Sequence, residues 1–322
     1  MTMVELDVRV RARQQEADGI CSFELEPVGA SELPVFSAGA HIDVQVAPGV
    51  IRQYSLCGHP QERRSWRIGV LREPQSRGGS AGMHDRVQVG SVLKVSAPRN
   101  LFELVEKSPH SVLVAGGIGV TPILAMAQHL QSGGRSFEVH YCARSPERMA
   151  FRNEMSAGPL AGHCRLYFND AAPEQTFDVH AMLKAVPAGA HLYICGPAGF
   201  MEFVLSAART AGWPQERLHR EHFAAATVVN TTGDRPFQVR LQRSGTTLAV
   251  PADHSVLQVL LGHGIDVDYS CEAGVCGSCL TRVLEGTPEH RDTFLTDAER
   301  AANDQFTPCC SRSTSPTLVL DL

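Results

Sequence analysis

No stretch of the 322-residue chain is apolar enough, for long enough, to span a bilayer. The longest apolar run, VLVAGGIGVTPILAMA at 112–127, is broken by three glycines and a proline. The opening MTMVELDVRVRARQ alternates apolar and charged residues and has no apolar signal core. The expectation is a cytoplasmic protein. An excess of basic charge is missing as well. Lys and Arg total 29 against 34 Asp and Glu, a net charge of -5, and no basic helix or charge run stands out. Neither nucleic acid nor an anionic membrane is therefore an expected partner. Internal repeats and low-complexity segments are also absent.

What remains is ordinary globular composition, 43% hydrophobic and 20% charged, in a chain long enough for two or three domains at roughly 150 residues each. VELDVRVR at 4–11 places Val4, Leu6, Val8 and Val10 on one face. That period of two marks a half-buried strand. Similar runs follow (SFELEP, HIDVQV, RQYSLCG, WRIGVLRE, SVLKVSAP), separated by turn residues. Their spacing predicts an antiparallel barrel over 1–105. Strands then alternate with helices, which predicts a doubly wound, parallel α/β domain over 106–228. In it SVLVAGG reads as a buried strand, and the following helix takes Thr121 as N-cap, Pro122 as its first position and Gly133–Gly134 as its stop. Further helices are expected near 147–157 and 178–186. A polar, turn-rich linker at 229–236 precedes a third domain, 237–322, read as a hairpin and small sheet crossed by one helix.

The ten cysteines include five singletons and five at 271, 276, 279, 309 and 310. With no secretion signal, clustered cysteines are expected to bind metal or take part in catalysis rather than form disulfides. CEAGVCGSC at 271–279 has the spacing Cys271-x4-Cys276-x2-Cys279, and Cys309 follows after twenty-nine residues. This is the plant-type [2Fe-2S] spacing. Gly274, Gly277 and Ser278 let the chain wrap closely and turn its amides toward sulfur. A zinc site would favour two short pairs or a Cys/His mixture, and no HxxxH lies nearby. Cys310 adjoins Cys309; on an extended chain the two point opposite ways, so one alone faces the cluster, and the spacing favours Cys309.

Other motifs carry weaker signals. AGGIGVTP ends a buried strand in Gly116, Gly117 and Gly119, where glycines admit a diphosphate to a helix N-terminus or serve tight packing alone. CGPAGF at 195–200 puts Cys195 at a strand's carboxyl edge, where ligands bind in such folds, although a small buried cysteine is the plainer reading. IRQYSLCG supplies Arg52, Tyr54 and Ser55, a set suited to a planar anionic cofactor and equally at home on a strand's solvent face. RGGS at 77–80 suits a phosphate nest or a plain surface turn.

RQYS, RGGS, AGGIGVTP, CGP and CEAGVCGSC, in this order and over essentially the whole chain, resemble the phthalate dioxygenase reductase family. The resemblance implies a flavin barrel, a nicotinamide domain and a C-terminal plant-type ferredoxin domain of β-grasp, α+β fold. It implies that Arg52, Tyr54 and Ser55 hold FMN, with Ser55 near the flavin N5, and that Arg77, Gly79 and Ser80 take its phosphate. Gly116, Gly117 and Thr121 would line the NADH diphosphate path; Cys195, Gly196 and Pro197 would lie by the nicotinamide; Phe223 and Glu221 would stand near the flavin. Cys271, Cys276, Cys279 and Cys309 would ligate the cluster. FMN is expected over FAD because no adenine-binding extension follows the barrel.

The expected activity is NADH-dependent reduction of FMN, then of the [2Fe-2S] cluster, then of a Rieske-type oxygenase acting on an aromatic acid or similar small molecule. A cluster-based redox sensor without NADH turnover is the alternative, but it leaves RQYS, AGGIGVTP and CGP idle. Coenzyme choice is ambiguous at YCARSPER. Arg144 and Arg148 could meet a 2′-phosphate and no acidic residue follows the strand; the resemblance implies NADH.

Overall fold

The computed structural model describes residues 5–29, 32–74, 76, 78–169, 176–223, 233–269, 272, 274–275 and 277–322. Arg77, Cys271 and Cys276 lie outside the described residues. The chain forms two compact units, residues 1–221 and 222–322.

The first unit opens with β1 (Glu5–Ala17), β2 (Ile20–Pro27), β3 (His41–Ala47), β4 (Val50–Ser55) and β5 (Trp66–Leu71). Helix α1 (Gly79–Arg86) and β6 (Val92–Ser96) follow. The strands pair antiparallel in the order β4-β3-β6-β1-β2-β5. A bridge from Leu56 to Ile68 brings the two edges together and closes the barrel. The period of two sets what is buried. Val8 and Val10 are fully enclosed, while Arg9 and Arg11 pair with Glu26 and Glu24 outside. Phe23, Leu25, Ile42, Trp66 and Ile68 fill the interior, and Met83 of α1 plugs it.

Beyond the barrel come β7 (Ser111–Gly116), α2 (Val120–Ser132), β8 (Phe137–Ala143), α3 (Arg152–Ser156), β9 (Cys164–Phe168), α4 (Val179–Ala185), β10 (His191–Cys195), α5 (Ala198–Thr210) and β11 (Leu218–Glu221). The sheet is parallel, in the order β11-β10-β7-β8-β9. Leu113, Ala115, Val139 and Tyr141 pack with α2 on one face. Val112 and Val114 pack with α4 and α5 on the other. The chain therefore reverses direction between β7 and β10.

Two sequence expectations fail here. Thr121 is not an N-cap and Pro122 is not the first helical residue. A 3-10 turn at Gly117–Gly119 starts the coil early, Gly119 becomes the cap, and the Thr121 hydroxyl donates to the Ile118 carbonyl at 3.0 Å. Pro122 is still tolerated, because the first helical N–H groups have no intrahelical partner. The helix expected at 147–157 is a 3-10 turn, Pro146–Arg148, followed by the short α3, because Phe151 takes a left-handed φ of 56°. The Arg67 guanidinium lies 5.0 Å over the Phe151 ring.

Packing does not stop at residue 105. Ala17, Ile20, Ala38, Cys57 and Phe102 join the core under α2. Arg67 of β5 grips the Glu154 carboxylate of α3 with both guanidinium nitrogens, Nη2 lying 2.9 Å from Oε2. The Val105 amide donates to the Tyr193 hydroxyl at 2.8 Å.

The second unit contains β12 (Phe237–Leu241), β13 (Thr247–Val250), α6 (Val256–Gly262), β14 (Thr281–Glu285), β15 (Pro288–Glu289), α7 (Asp297–Ala302), β16 (Gln305–Phe306), β17 (Arg312–Ser313) and β18 (Thr317–Leu320). A mixed sheet runs β13-β12-β18-β14-β16, and β15 pairs with β17. Val239, Val250, Leu260, Phe306 and Leu318 form its core. The described residues hold two helices where one was expected. α7 starts at a capping box of Thr296 and Glu299, a signature in TDAE that period-of-3.6 reading overlooks in so short a segment. Asp234, in the segment read as a linker, is tied down. Arg291 holds its carboxylate at 2.6 and 3.0 Å, and buried Arg312 adds Nε at 3.4 Å.

Candidate functional site

The reversal between β7 and β10 creates a crevice at the carboxyl edge of the sheet, where ligands bind in open α/β folds. Its glycines divide by role. A side chain on Gly119 would collide with the Cys195 carbonyl and the Gly196 amide. One on Gly116 would stand 2.8 Å from the Phe200 ring and 3.0 Å from Pro197, and one on Gly196 would stand 3.0 Å from the Gly116 Cα. These glycines let the two strand-to-helix turns touch. Gly117 differs: its φ is 54° and, among the described residues, nothing stands within 4 Å of where its Cβ would be. Open backbone at a helix start is what an approaching diphosphate needs. Thr121 is buried with its hydroxyl turned to the Ile118 carbonyl, so it supports the turn from below. Pro197 caps α5.

Three of the expected residues converge on this edge. Cys195 ends β10 and lies in register with Glu221, the end of β11. Ser55, the last residue of β4, donates its hydroxyl to Glu221 Oε2 at 3.3 Å. Residues distant in sequence, from barrel and sheet, thus form one cluster. Burial pushes the Glu221 carboxyl up to about 8, with the Ser55 hydrogen bond opposing the rise. Cys195 is fully buried, and burial together with the Glu221 charge holds its thiol far above the usual range. A protonated thiol there packs and positions; it does not attack. Phe223, the second residue of the second unit, has 41% of its surface exposed.

On the barrel side, Arg52 and Tyr54 are two residues apart on β4 and share a face. The Arg52 side chain crosses the start of α1, where a Cβ on Gly79 would lie 2.5 Å from Arg52 Cγ and 2.7 Å from Nε. Gly78 caps α1 in the left-handed region at φ 82°. Gly78, Gly79 and Ser80 thus open a helix with a guanidinium across its N-terminus, a setting suited to phosphate. The Ser80 hydroxyl accepts from the Glu73 amide at 3.0 Å and keeps its proton for another acceptor. The Tyr54 ring packs on the barrel core, and its buried hydroxyl has no hydrogen-bond partner among the described residues. An orphaned phenol beside such an anion cradle fits FMN. Sequence reading missed α1; its signal is the glycine pair before SAGMHDR, which carries Met83 inward.

In the second unit the Cys309 thiol lies within hydrogen-bonding range of Cys279. Cys310 turns its thiol to the Thr307 hydroxyl at 3.2 Å. A Cβ on Gly274 would lie 2.5 Å from the Cys310 Sγ. The extended chain that would turn the two thiols opposite ways is not what forms here: Cys309 and Cys310 also lie within hydrogen-bonding range of each other. Residues 308–310 form a turn, with the Cys310 amide donating to the Thr307 carbonyl at 3.2 Å. Gly274 and Gly277 both take left-handed φ values, 70° and 67°. Phe294 occupies the place a Gly277 side chain would need, and the Thr293 amide donates to the Gly274 carbonyl at 2.9 Å. Residues 292–294 thus back the cysteine loop, a role with no sequence motif. Two buried thiols meeting beside a glycine-rich loop fit a cluster of the [2Fe-2S] kind.

Comparison with known proteins agrees with this arrangement. The family described as "2Fe-2S iron-sulfur cluster binding domain" matches residues 239–314. The family described as "Dimethylamine monooxygenase subunit DmmA-like, N-terminal domain" matches residues 93–218. A vanillate O-demethylase oxidoreductase of Pseudomonas putida is 54% identical over 318 residues, covering 98% of this chain and 100% of that one. Its counterpart from Pseudomonas sp. (strain HR199 / DSM 7063) is 50% identical over 317 residues, with 98% and 100% covered. The solved structure of phthalate dioxygenase reductase, described as modular for electron transfer from pyridine nucleotides to [2Fe-2S], superposes with a TM-score of 0.79 at 39% identity, covering 99% of this chain and 98% of that one. The chain belongs to the phthalate dioxygenase reductase family, oxidoreductases that carry electrons from NADH through a flavin to a [2Fe-2S] centre as the reductase components of oxygenase systems.

Proposed function

We propose that this chain is the NADH:acceptor reductase of a Rieske-type oxygenase that demethylates or hydroxylates an aromatic acid of the vanillate kind. The observation that carries the reading is the meeting of Ser55 with Glu221 and Cys195 at the sheet's ligand edge. It puts a hydroxyl donor, a proton-holding carboxyl and an inert thiol where a nicotinamide and a flavin ring would have to approach each other. Arg52 and the start of α1 would hold the FMN phosphate, with Arg77, Gly79 and Ser80; Tyr54 would flank the ring, and Phe223 would be a further residue near the flavin. Gly116, Gly117 and Thr121 would form the diphosphate path, and Cys195, Gly196 and Pro197 would pack against the nicotinamide. Ser55 would stand at the flavin N5 and there offer its hydroxyl proton, with Glu221 as the proton's reserve. Cys271, Cys276, Cys279 and Cys309 would ligate the cluster. When bound, FMN supplies the conversion of electron pairs to single electrons and the cluster supplies their one-electron exit. Flavin, nicotinamide and iron–sulfur portions would fall at 1–105, 106–228 and 237–322, with 229–236 between the last two, and the compartment would be the cytoplasm.

The test is reconstitution. NADH should bleach the flavin band of the purified protein and drive cytochrome c reduction. Adding a vanillate-type Rieske oxygenase should give NADH-dependent demethylation. Bleaching without turnover by any Rieske oxygenase would remove the partner assignment and leave the reductase chemistry. A tenfold preference in kcat/KM for NADPH would overturn the choice of coenzyme.

A further inference from the structure

Burying a carboxylate is costly unless its charge is matched or its oxygens are hydrogen-bonded. Asp292 is buried, with 4% of its surface exposed, and the cysteine spacing gives it no role. Its Oδ2 accepts from the Phe294 amide at 3.1 Å and from the Leu295 amide at 2.7 Å. An aspartate that accepts from amides two and three residues ahead closes a tight turn. Its Oδ1 has no hydrogen-bond partner among the described residues. The basic groups nearby stand off or are engaged elsewhere. Arg300 donates from Nη2 to the Asp292 carbonyl at 2.5 Å and lies 3.8 Å from Oδ2. His290 Nδ1 is 3.7 Å from Oδ1. Arg291, next in the chain, turns to Asp234 and Glu289. The carboxylate charge is thus only partly balanced.

The turn that Asp292 closes lies against the cysteine loop. A Cβ on Gly274 would stand 2.9 Å from the Asp292 Cα, 3.1 Å from the Asp292 Cβ and 2.5 Å from the Cys310 Sγ. The Thr293 amide donates to the Gly274 carbonyl at 2.9 Å, and Phe294 fills the place of a Gly277 side chain. Gly274 falls between Cys271 and Cys276, and Gly277 between Cys276 and Cys279. One aspartate therefore acts twice on this loop. Its Oδ2 fixes the turn that supports both glycines, and its charge stands beside the loop in an interior that screens it weakly. The potential of an iron–sulfur centre responds to net charge, hydrogen bonds to sulfur and exposure. A negative charge close by opposes an added electron and so lowers that potential. A centre of lower potential is the stronger donor to the acceptor that follows.

We propose that Asp292 is a positioning residue for the iron–sulfur centre and that its carboxylate charge holds the centre's reduction potential down. The proposal rests on the loop carrying a [2Fe-2S] cluster, and the test separates the two. Asp292→Asn keeps an oxygen for the Phe294 and Leu295 amides and removes the charge. Arg300→Gln removes the charge that partly balances it. Cluster content of the full chain is read from visible absorbance and from the electron paramagnetic resonance of the reduced protein. The cluster midpoint is read by dye-mediated titration at about pH 8.5, roughly two units above an ordinary imidazole. A unit charge about 10 Å away, at the effective dielectric of a protein, moves a one-electron equilibrium by on the order of tenfold. Asp292→Asn should therefore keep the wild-type cluster spectrum and raise the midpoint by about 59 mV, the equivalent of tenfold for one electron. Arg300→Gln should lower the midpoint by less, because 32% of its side chain is exposed and salt screens it. An unchanged or lowered midpoint in cluster-loaded Asp292→Asn overturns the proposal. If Asp292→Asn assembles no cluster, Arg300→Gln decides: a lowered midpoint supports the charge role and an unchanged one overturns it. Wild-type protein that shows neither signal of a cluster overturns the cluster reading itself, and the proposal with it.

Discussion

At the residue scale, Glu221 is set apart by a carboxyl that burial pushes up to about 8, against an ordinary 4.5. Between those two values the folded protein holds a proton that the unfolded chain has released. Stability is therefore greatest at low pH within that window and falls as pH rises through about 8. Glu221→Gln should flatten this dependence. Urea midpoints of both proteins from pH 5 to 9 should diverge, and parallel curves would contradict the assignment. Cys309 and Cys310 provide a second contrast. Cys309 reaches both Cys279 and Cys310, whereas Cys310 also engages the Thr307 hydroxyl. Cys309→Ser should lose the visible absorbance of the native cluster, and Cys310→Ser should retain it.

At the scale of elements, the turn joining β7 to α2 shows how neighbouring glycines answer to different constraints. Gly119→Ala would drive a methyl into the Cys195 carbonyl, and overpacking of this kind costs about 1–3 kcal/mol. Gly117→Ala meets no atom but must hold a left-handed φ of 54°, which costs about 1–2 kcal/mol. Both should lower the urea midpoint. In Gly117→Ala the methyl also projects toward open space, so its KM for NADH should rise as well.

The sequence made much of this legible. Alternation in VELDVRVR marks β1, continuous burial in SVLVAG marks β7, and cysteine spacing locates the loop at 271–279. Elements only one or two periods long were harder to see. α1, α7 and the strands of two residues carry too few positions for a pattern. The meeting of Ser55 with Glu221 was also hidden, because it depends on how barrel and sheet pack. No local signal in RQYS or REHF records that contact. Thr121 shows the reverse error: a good capping residue was overridden by a 3-10 turn one step earlier.

At the scale of the whole molecule, barrel and parallel sheet form one compact unit and the iron–sulfur fold another. Within the first, Arg67 spans the join between barrel and sheet, half-buried against Glu154 and Phe151. Arg67→Ala should destabilise the flavin-bearing unit by about 1–3 kcal/mol, measurable as a lower urea midpoint. The chain cut after residue 236 should keep NADH-driven flavin bleaching and lose cytochrome c reduction.

The Arg291–Asp234 pair has a consequence for kinetics. It fastens the chain to the second unit at Asp234 rather than at Phe237, where the sheet begins. The thirteen residues from 222 to 234 can therefore extend no further than about 45 Å. A leash of that length keeps the local concentration of one redox fold around the other on the order of millimolar. Electron exchange between them should then be first order, its rate unchanged on dilution of the protein. It should slow as roughly the −3/2 power of length when flexible residues are inserted before Asp234.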